Sequence, residues 1–479
     1  MADERGRGAG QGAGARGGLR PTAAAATALA LVLVSGTWMN TTVFPLFDPI
    51  FTYARDISVT FNAGALIALG YVAYRAPRLL APGPFVAAAI GFQVVGAVGL
   101  AAGLALEGGA LLTAGASLGA IGRAGAIVMA GLMLSRLEAR GMAVAVCAAF
   151  TAQYLATSCA FAMPVGLGVT CFLAFPVIAA ALARRATEEV LGPASRREAP
   201  SDLSVTRPAS FLAPFSALFV CLFLFQVVFG FALRFDEVGG APHESPLSWL
   251  PVLLVALWVC AGRRPFPADF LVQTSALAVI AGFLLSSEGT AAYAAGALLL
   301  LHAGNALFGM TSRLALASIA ARNPLAAATT LAWGGGVSSL GSLVGAAAGV
   351  GANQAVGHSP GAAFAVSATL LLVFAAYVIF GLRGFTFSGV IEGIQPVGER
   401  DAAGSPAERL EERCGELAAA FGLTPREAEV FAMLARGRDR AYIEDALVVS
   451  RNTVKAHVKH IYAKLGIHSH QELIDLVEE

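Results

Sequence analysis

Lysine is almost absent from this chain. Only three lysines occur in 479 residues, at Lys455, Lys459 and Lys464, so arginine carries nearly all the positive charge. Charged residues of both signs make up 13% of the chain, apolar residues make up 57%, and the mean hydropathy is +0.70. This composition excludes an ordinary soluble protein and predicts that most of the chain lies in a membrane.

Several chemical patterns are also missing. The six cysteines have neither CxxC nor ligand spacing, which argues against a metal or disulfide site. No Asp or Glu falls in the middle of an apolar segment, which argues against a proton-coupled transporter, although His302 could titrate instead. We find no kinase, receiver, nucleotide-binding or catalytic-triad pattern. The sequence therefore predicts no enzyme, no cofactor and no metal.

Long apolar stretches are what the chain has in abundance. Stretches of roughly 17 to 25 residues recur up to about residue 383, and each is long enough to cross a bilayer as a helix. They predict about twelve spans, divided six and six by a loop at 184–210. The predicted spans are 22–43, 57–74, 82–105, 109–135, 141–162, 163–183, 211–232, 247–262, 268–287, 290–312, 325–351 and 360–382.

The placement of arginine predicts the orientation of these spans. With the N-terminus inside, the outer loops receive only Arg55 and Arg234, and the inner segments receive the other arginines between spans, including Arg313 and Arg322. Because cytoplasmic loops are enriched in positive charge, both termini are expected in the cytoplasm and the protein in the inner (cytoplasmic) membrane. The Gly/Arg-rich residues 1–21 are predicted to be a disordered cytoplasmic segment before a retained first helix.

A different pattern begins near residue 423. LTPREAEVFAMLARG, Leu423 to Gly437, combines a capping box with an apolar stripe and a terminal glycine. A short helix at 441–447 and a tight turn lead to SRNTVKAHVKHIYAKLG, Ser450 to Gly466, where Val454, Val458, Ile461 and Leu465 repeat at helical spacing. Arg451, Lys455 and Lys459 share another face of this helix. With a last helix starting at Ser469, the spacing predicts a helix-turn-helix domain over 423–479.

This region resembles the C-terminal DNA-binding domain of LuxR-type (NarL/GerE-like) transcription regulators, through LTPREAEV, VVSRNTVKAHVKHIYAKLGIHS and QELIDLV. The resemblance implies double-stranded DNA as a partner and homodimerisation through the last helix, about 470–477. It places Lys455, Ala456 and Lys459 at base edges and Arg451, Asn452, Thr453 and His457 near the phosphates or groove rim. Glu444 and His470 depart from the family pattern. Basic and acidic residues nearly cancel in this region, so DNA affinity must come from the local cluster.

The six-plus-six spans of residues 22–383 resemble the major facilitator superfamily in topology. The superfamily's acidic signature is missing from the loop YRAPRLLAPG. In such folds helices one, four, seven and ten line a central cavity, which would be a pocket for a small-molecule ligand. Polar residues fall on these spans, with Arg123 suited to an anionic ligand. They are Trp38, Asn40, Arg123, Gln226, His302 and Asn305. The alternative is that Gln226, His302 and Asn305 only bridge helices.

The leading hypothesis is a one-component transcription regulator in which a membrane sensor, surrounded by lipid, controls a cytoplasmic DNA-binding domain. Residues 384–422 would be a linker followed by a coupling or dimer helix, or a simple extension of the domain. One alternative is a secondary transporter with an appended regulatory domain, and another is a constitutive anchor that tethers DNA to the membrane.

Overall fold

The computed structural model describes residues 8–160, 163–196, 212–213, 216–234, 247, 249–262, 266–286, 291–356, 360–395, 406–447 and 449–478. All regular structure within these residues is helical, which confirms the all-α prediction. The chain forms two compact units, Met1–Val397 and Gly398–Glu479.

The first unit is a bundle of long helices. Within its described residues, twelve helices follow the twelve predicted spans in order. They are α1 Gly8–Trp38, α2 Ala54–Arg75, α3 Pro82–Ala105, α4 Gly109–Leu134, α5 Ala139–Ala160, α6 Val165–Ser195, α7 Ala217–Arg234, α8 Trp249–Ala261, α9 Ala268–Ser286, α10 Ala291–Arg322, α11 Ala327–Val356 and α12 Pro360–Ala376.

The helix ends differ from the predicted span ends at several places. The stretch 1–21, predicted to be disordered, is helical from Gly8, and residues 1–7 lie outside the described residues. Helix α6 continues into the predicted central loop as far as Ser195, and residues 197–211 lie outside the described residues. Helix α10 runs ten residues past the predicted end of the tenth span, so Arg313 is a helical residue and its predicted position in a loop is wrong.

By length and composition, eight helices in the described part of the chain are able to cross a membrane: Leu19–Leu46, Ala54–Arg75, Pro82–Ala105, Gly109–Leu134, Ala139–Cys159, Val165–Ser195, Ala268–Leu285 and Pro324–Gln354. Ala217–Ala232, Trp249–Ala261 and Ala368–Gly381 are shorter apolar helices. Helix α10 is in neither group, and it carries His302, Asn305 and Arg313. The protein is thus a multi-pass membrane protein.

The packing of the bundle suits a lipid environment. Large apolar side chains point outward from α3, α9 and α12, among them Val98, Leu277 and Leu372. Inside the bundle, glycine permits close contact between α3 and α4: a Cβ atom added to Gly99 would lie 2.9 Å from the Cα atom of Gly115. Close backbone approach through small residues is the usual means by which membrane helices associate.

After the twelve long helices, the chain forms the short helix α13, Phe387–Gly393, which belongs to the first unit. The second unit contains α14 Pro406–Ala420, α15 Pro425–Ala435, α16 Arg440–Leu447, α17 Arg451–Leu465 and α18 His470–Glu478. Helices α15 to α18 confirm the predicted four-helix domain. Cys414 and Leu417 of α14 are buried in the same core as Val430 and Ile461, so this helix packs as part of the second unit.

Candidate DNA interface and membrane cavity

Local signals fix the ends of the helix-turn-helix. The Thr424 hydroxyl accepts a hydrogen bond from the Glu427 backbone N–H, and the Glu427 carboxylate accepts one from the Thr424 N–H, which completes the predicted capping box. Ser450 caps α17 by accepting a hydrogen bond from the Thr453 N–H at 3.2 Å. Gly466 ends α17 with a φ of +70°, a left-handed conformation that glycine adopts without strain.

Helix α17 has one buried face and one open face. Val454, Val458, Ile461 and Leu465 are buried in the core of the second unit. The side chains on the opposite face that were predicted to contact DNA are exposed, apart from the half-buried His457: Arg451, Asn452, Thr453, Lys455, Ala456 and Lys459. Among the described residues, neither Lys455 nor Lys459 forms an ion pair. The open face of α17 can therefore meet a polyanion without first breaking an ion pair of either lysine.

The third lysine has a structural role. The Lys464 Nζ atom lies 2.7 Å from the Glu427 Oε2 atom and 2.9 Å from the carbonyl oxygen of Gly422. The Lys464 hydrogen bond, followed by the Thr424 N–H, lowers the pKa of Glu427 from 4.5 to about 2. Only two of the three lysines, Lys455 and Lys459, are thus free to contact DNA.

The two departures from the LuxR pattern occupy defined positions. Glu444 on α16 is half-buried, and its Oε1 atom lies 4.0 Å from the Nε atom of Arg451 at the start of α17. Ile443 beside it is completely buried, so α16 keeps its core contact. The His470 Nε2 atom lies 2.9 Å from the Leu434 carbonyl oxygen, which ties α18 to the end of α15.

The first unit contains a partly open cavity of about 310 Å³ whose lining mixes polar and apolar side chains. Both six-helix halves contribute to it, α1, α2, α4 and α5 from one and α7, α10 and α11 from the other. The lining residues are Val32, Leu33, Gly36, Thr37, Met39, Asn40, Val59, Asn62, Arg123, Ile127, Gln153, Tyr154, Thr157, Phe229, His302, Asn305, Arg313, Ser339 and Ser342. No carboxylate is present in this lining, as far as the described residues extend.

Four of the six residues predicted for a ligand pocket line this cavity: Asn40, Arg123, His302 and Asn305. Gln226 lies behind the lining, where its Nε2 atom donates a hydrogen bond of 3.3 Å to the Asn305 Oδ1 atom. The Trp38 ring instead packs against Phe175, with ring centroids 5.2 Å apart. The cavity therefore brings together predicted residues from the turn that follows α1, from α4 and from α10, while Gln226 supports Asn305.

Arg123 lies deep in the first unit. It is 8% exposed, its Nη2 atom hydrogen-bonds to the Met39 sulfur, and its guanidinium lies 5.3 Å above the Phe172 ring centroid. Its Nη1 atom has no hydrogen-bond partner among the described residues. Met39 belongs to a turn of π-helix, Met39–Val43, that follows α1. These neighbours hold the guanidinium in place without neutralising its charge.

Sequence reasoning missed Arg313, Gln153 and Tyr154, which also line the cavity. The charge of Arg313 suits a cytoplasmic connection, which is why the predicted tenth span ends before it. A contrary signal is nevertheless present, because no proline interrupts the chain between His302 and Arg313, so one helix can carry both. Gln153 and Tyr154 lie on the fifth span, which the topological resemblance does not assign to the cavity.

Helix α13 is held at both ends by the membrane unit. The Asp269 carboxylate at the start of α9 accepts a hydrogen bond of 2.6 Å from the Phe387 N–H, and the Ser388 side chain donates to it as well. Arg322 at the end of α10 donates to the carbonyl oxygens of Glu392 and Ile394. The Arg322 contacts connect α10, which carries His302, Asn305 and Arg313, to the segment that precedes the second unit.

These features define two classes of structure: a major-facilitator-like membrane bundle and a helix-turn-helix DNA-binding domain. Residues 422–477 match the family described as "Bacterial regulatory proteins, luxR family", so the predicted LuxR-type domain is confirmed. The region is 45% identical over 53 residues to the Fimbriae Z protein of Escherichia coli (strain K12), which covers 11% of this chain and 25% of that protein. It is 43% identical over 58 residues to the Transcriptional activator protein ExaE of Pseudomonas putida, and these residues cover 12% of this chain and 27% of that protein.

The matched part thus spans about a quarter of the length of these curated relatives. The remainder resembles solved structures in fold. The major facilitator superfamily proton:xylose symporter XylE aligns with 75% of this chain and 95% of its own, at a TM-score of 0.53 and 13% identity. A bacterial homologue of the iron transporter ferroportin aligns with 74% of this chain and 99% of its own, at a TM-score of 0.50 and 12% identity. The major-facilitator-like fold is thereby confirmed.

Proposed function

We propose that this protein is a membrane-embedded one-component transcription regulator, in which a small molecule bound in the cavity changes the DNA occupancy of the second unit. One observation carries the proposal: a single chain joins a luxR-family domain with an open recognition face to a membrane unit with a polar cavity. Such control requires a ligand that binds two states of the membrane unit with different affinities.

In this proposal α17 enters the major groove. Lys455, Ala456 and Lys459 contact base edges, and Arg451, Asn452, Thr453 and His457 contact phosphates or the groove rim. The exposure of six of these seven side chains, all but the half-buried His457, supports the assignment. Because the domain has almost no net charge, one copy would bind DNA weakly, and two copies joined through α18 would bind two half-sites.

The proposed location is the inner membrane, with both termini in the cytoplasm and lipid around the bundle. Two independent observations favour this orientation. The arginines between spans alternate as the positive-inside rule requires. The DNA-binding domain follows the last span, and DNA is accessible to it only from the cytoplasm.

The proposed signal passes from the cavity along α10 to α13. Phe308 of α10 contacts Phe387 of α13, with ring centroids 6.2 Å apart, and Arg322 holds the other end of α13. A shift of α10 on ligand binding would therefore move or release the segment that leads to the DNA-binding unit.

The test is genome-wide DNA occupancy of the tagged full-length chain in its own membrane, together with transcript profiling of a deletion strain. Wild-type protein should occupy a small number of promoters, and the Lys455→Ala, Lys459→Ala double variant should lose them. Arg413→Ala on α14 is the matched control, since it also removes positive charge from the second unit, and should keep the occupied sites. Unchanged occupancy in the double variant would remove the DNA-reading assignment.

The second candidate is a secondary transporter with an appended regulatory domain, favoured by the fold shared with solved transporters. The absence of a carboxylate from the described cavity lining disfavours proton coupling through Asp or Glu. Uptake of a substrate into vesicles by a chain lacking residues 384–479 would favour this alternative. Occupied promoters that never respond to any small molecule would instead favour a constitutive anchor.

A further inference from the structure

Two arginines from opposite halves of the bundle line the same cavity. Arg123 lies on α4 in the first six helices, and Arg313 lies on α10 in the last six. Neither forms an ion pair in the part of the chain that the structure describes. Both arginines, Arg123 buried and Arg313 half-buried, therefore line one cavity, and its described lining provides no compensating negative charge.

This arrangement is unfavourable while the cavity holds only water. A buried charge is tolerated when it is paired, and arginine does not lose its proton in proteins. The Arg123 Nη1 atom lacks a hydrogen-bond partner among the described residues, and its Nη2 atom is bonded only to a thioether sulfur, which is a weak acceptor. An oxyanion would satisfy the unpaired N–H groups and compensate the charge of both arginines.

The rest of the lining indicates the character of the ligand. The Asn305 Oδ1 atom is occupied by Gln226, so the Asn305 amide nitrogen is the group that can donate to a ligand. The Gln153 Oε1 atom is buried without a partner among the described residues and can accept from a hydroxyl or amine. Val32, Ile127 and Phe229 supply apolar surface. At about 310 Å³ the cavity suits a small metabolite rather than a lipid or a peptide.

We propose that the cavity binds a small organic dianion whose oxyanion groups bridge Arg123 and Arg313. Carboxylates and a phosphate monoester share the required chemistry, because each accepts bidentate hydrogen bonds from guanidinium. Since the two arginines belong to different halves, the bound dianion draws the halves together and favours a closed cavity. The proposed dianion site deepens the proposed function. It rests on that function only where closure of the cavity is taken to change DNA occupancy.

The experiment measures thermal stabilisation and calorimetric binding of the purified full-length chain by probes of matched shape. Succinate, succinamate and succinamide carry two, one and no negative charges, glycerol phosphate is compared with glycerol, and sulfate serves as an inorganic divalent oxyanion. We expect stabilisation by at least one dianion, little by its monoanion and none by its neutral analogue. Whether succinate or glycerol phosphate binds more tightly distinguishes a carboxylate ligand from a phosphate ligand.

The variants are Arg123→Gln, Arg313→Gln and the double variant. Each single change should weaken dianion binding about tenfold to a hundredfold, because it removes a charge-assisted hydrogen-bonding pair. Arg123→Lys keeps the charge and should retain more affinity than Arg123→Gln. Arg75→Gln, at the exposed end of α2, is the control and should bind as the wild type does.

Two outcomes overturn the inference. One is a neutral analogue that binds as tightly as its dianion. The other is that sulfate, succinate and glycerol phosphate neither stabilise nor bind to the wild type or the double variant. That result would exclude a divalent-anion site, whether or not the variants are stable. These measurements contain no DNA, so they separate the two proposals: dianion binding without any effect on promoter occupancy would remove the regulator function and leave the anion site intact.

Discussion

The Asp269 carboxylate accepts a hydrogen bond of 2.6 Å from the backbone N–H of Phe387. Asp269 lies in the first turn of α9, and Phe387 is the first residue of α13. A side chain of the bundle thus binds the N-terminus of α13, where the Thr386 hydroxyl also accepts a hydrogen bond from the Gly389 N–H. Phe387 is also completely buried against this bundle. The attachment of α13 to the membrane unit therefore includes a contact that a single substitution can weaken.

Asp269→Asn should loosen α13. An amide oxygen is a weaker acceptor than a carboxylate, and it lacks the negative charge that a helix N-terminus favours. The contact of residue 269 with α13 should therefore lose about 1 kcal/mol. Hydrogen–deuterium exchange of residues 387–390 in the full chain should accelerate about fivefold, since 1 kcal/mol corresponds to that factor. Asp56→Asn, in the exposed first turn of α2, is the control. Equal exchange in both variants would show that Asp269 does not hold α13.

Glu444→Ala should strengthen DNA binding. The Glu444 carboxylate lies beside Arg451, at the end of α17 that is proposed to contact phosphates. It therefore competes with the DNA phosphates for this arginine and repels the DNA backbone. We expect an increase in affinity of about threefold, in keeping with an ion pair at the protein surface, and a smaller increase at high salt. Fluorescence anisotropy with the full-length chain and a bound promoter fragment measures this effect.

Asp445→Asn is the matched control for that substitution, because it removes the same charge from the next, exposed position of α16. If both substitutions raise affinity equally, net charge alone accounts for the change and Glu444 has no specific effect on Arg451.

The Glu427–Lys464 pair should make the second unit sensitive to acid. The pKa of Glu427 is lowered from 4.5 to about 2 in the folded protein, chiefly by the Lys464 hydrogen bond. The stabilisation is therefore fully present above pH 4.5 and is lost as the pH falls from there towards 2. Protection of core amides in α15 and α17 against hydrogen exchange should fall steeply over this interval, by at least about tenfold.

Glu427→Gln should flatten that pH dependence while lowering protection at neutral pH. Lys464→Gln removes the first cause of the shift and should act in the same direction. If Glu427→Gln kept the wild-type dependence on pH, another group would have to be responsible for the acid sensitivity.

Gly99→Ala should destabilise the membrane unit. The new Cβ atom would lie 2.9 Å from the Gly115 Cα atom, so α3 and α4 would have to separate. Overpacking of this kind costs about 1–3 kcal/mol. Gly91→Ala on the same helix meets no atom within 4 Å and should be neutral or slightly stabilising, because alanine favours helix. Thermal unfolding in detergent compares the two, and equal melting temperatures would contradict close packing at Gly99.

Much of this protein follows from local sequence. The caps at Thr424 and Ser450, the left-handed stop at Gly466 and the buried stripe of α17 depend on residues within one or two turns of each other, so their spacing in the chain is enough to predict them. Likewise, the length and apolarity of a segment predict that it can cross a membrane, because the bilayer imposes that requirement on each helix separately.

Only the tertiary structure decided which polar side chains meet. Lys455, Lys459 and Lys464 look alike in sequence, yet contact with Glu427, 37 residues away, withdraws Lys464 from the group available to DNA. Arg313 looks like a loop arginine until α10 is seen to extend to Arg322 and to place it in a cavity with Arg123. The physical reason is the same in both cases: a helical repeat fixes the face on which a residue lies, whereas the residue facing it is fixed by the packing of segments far apart in the chain.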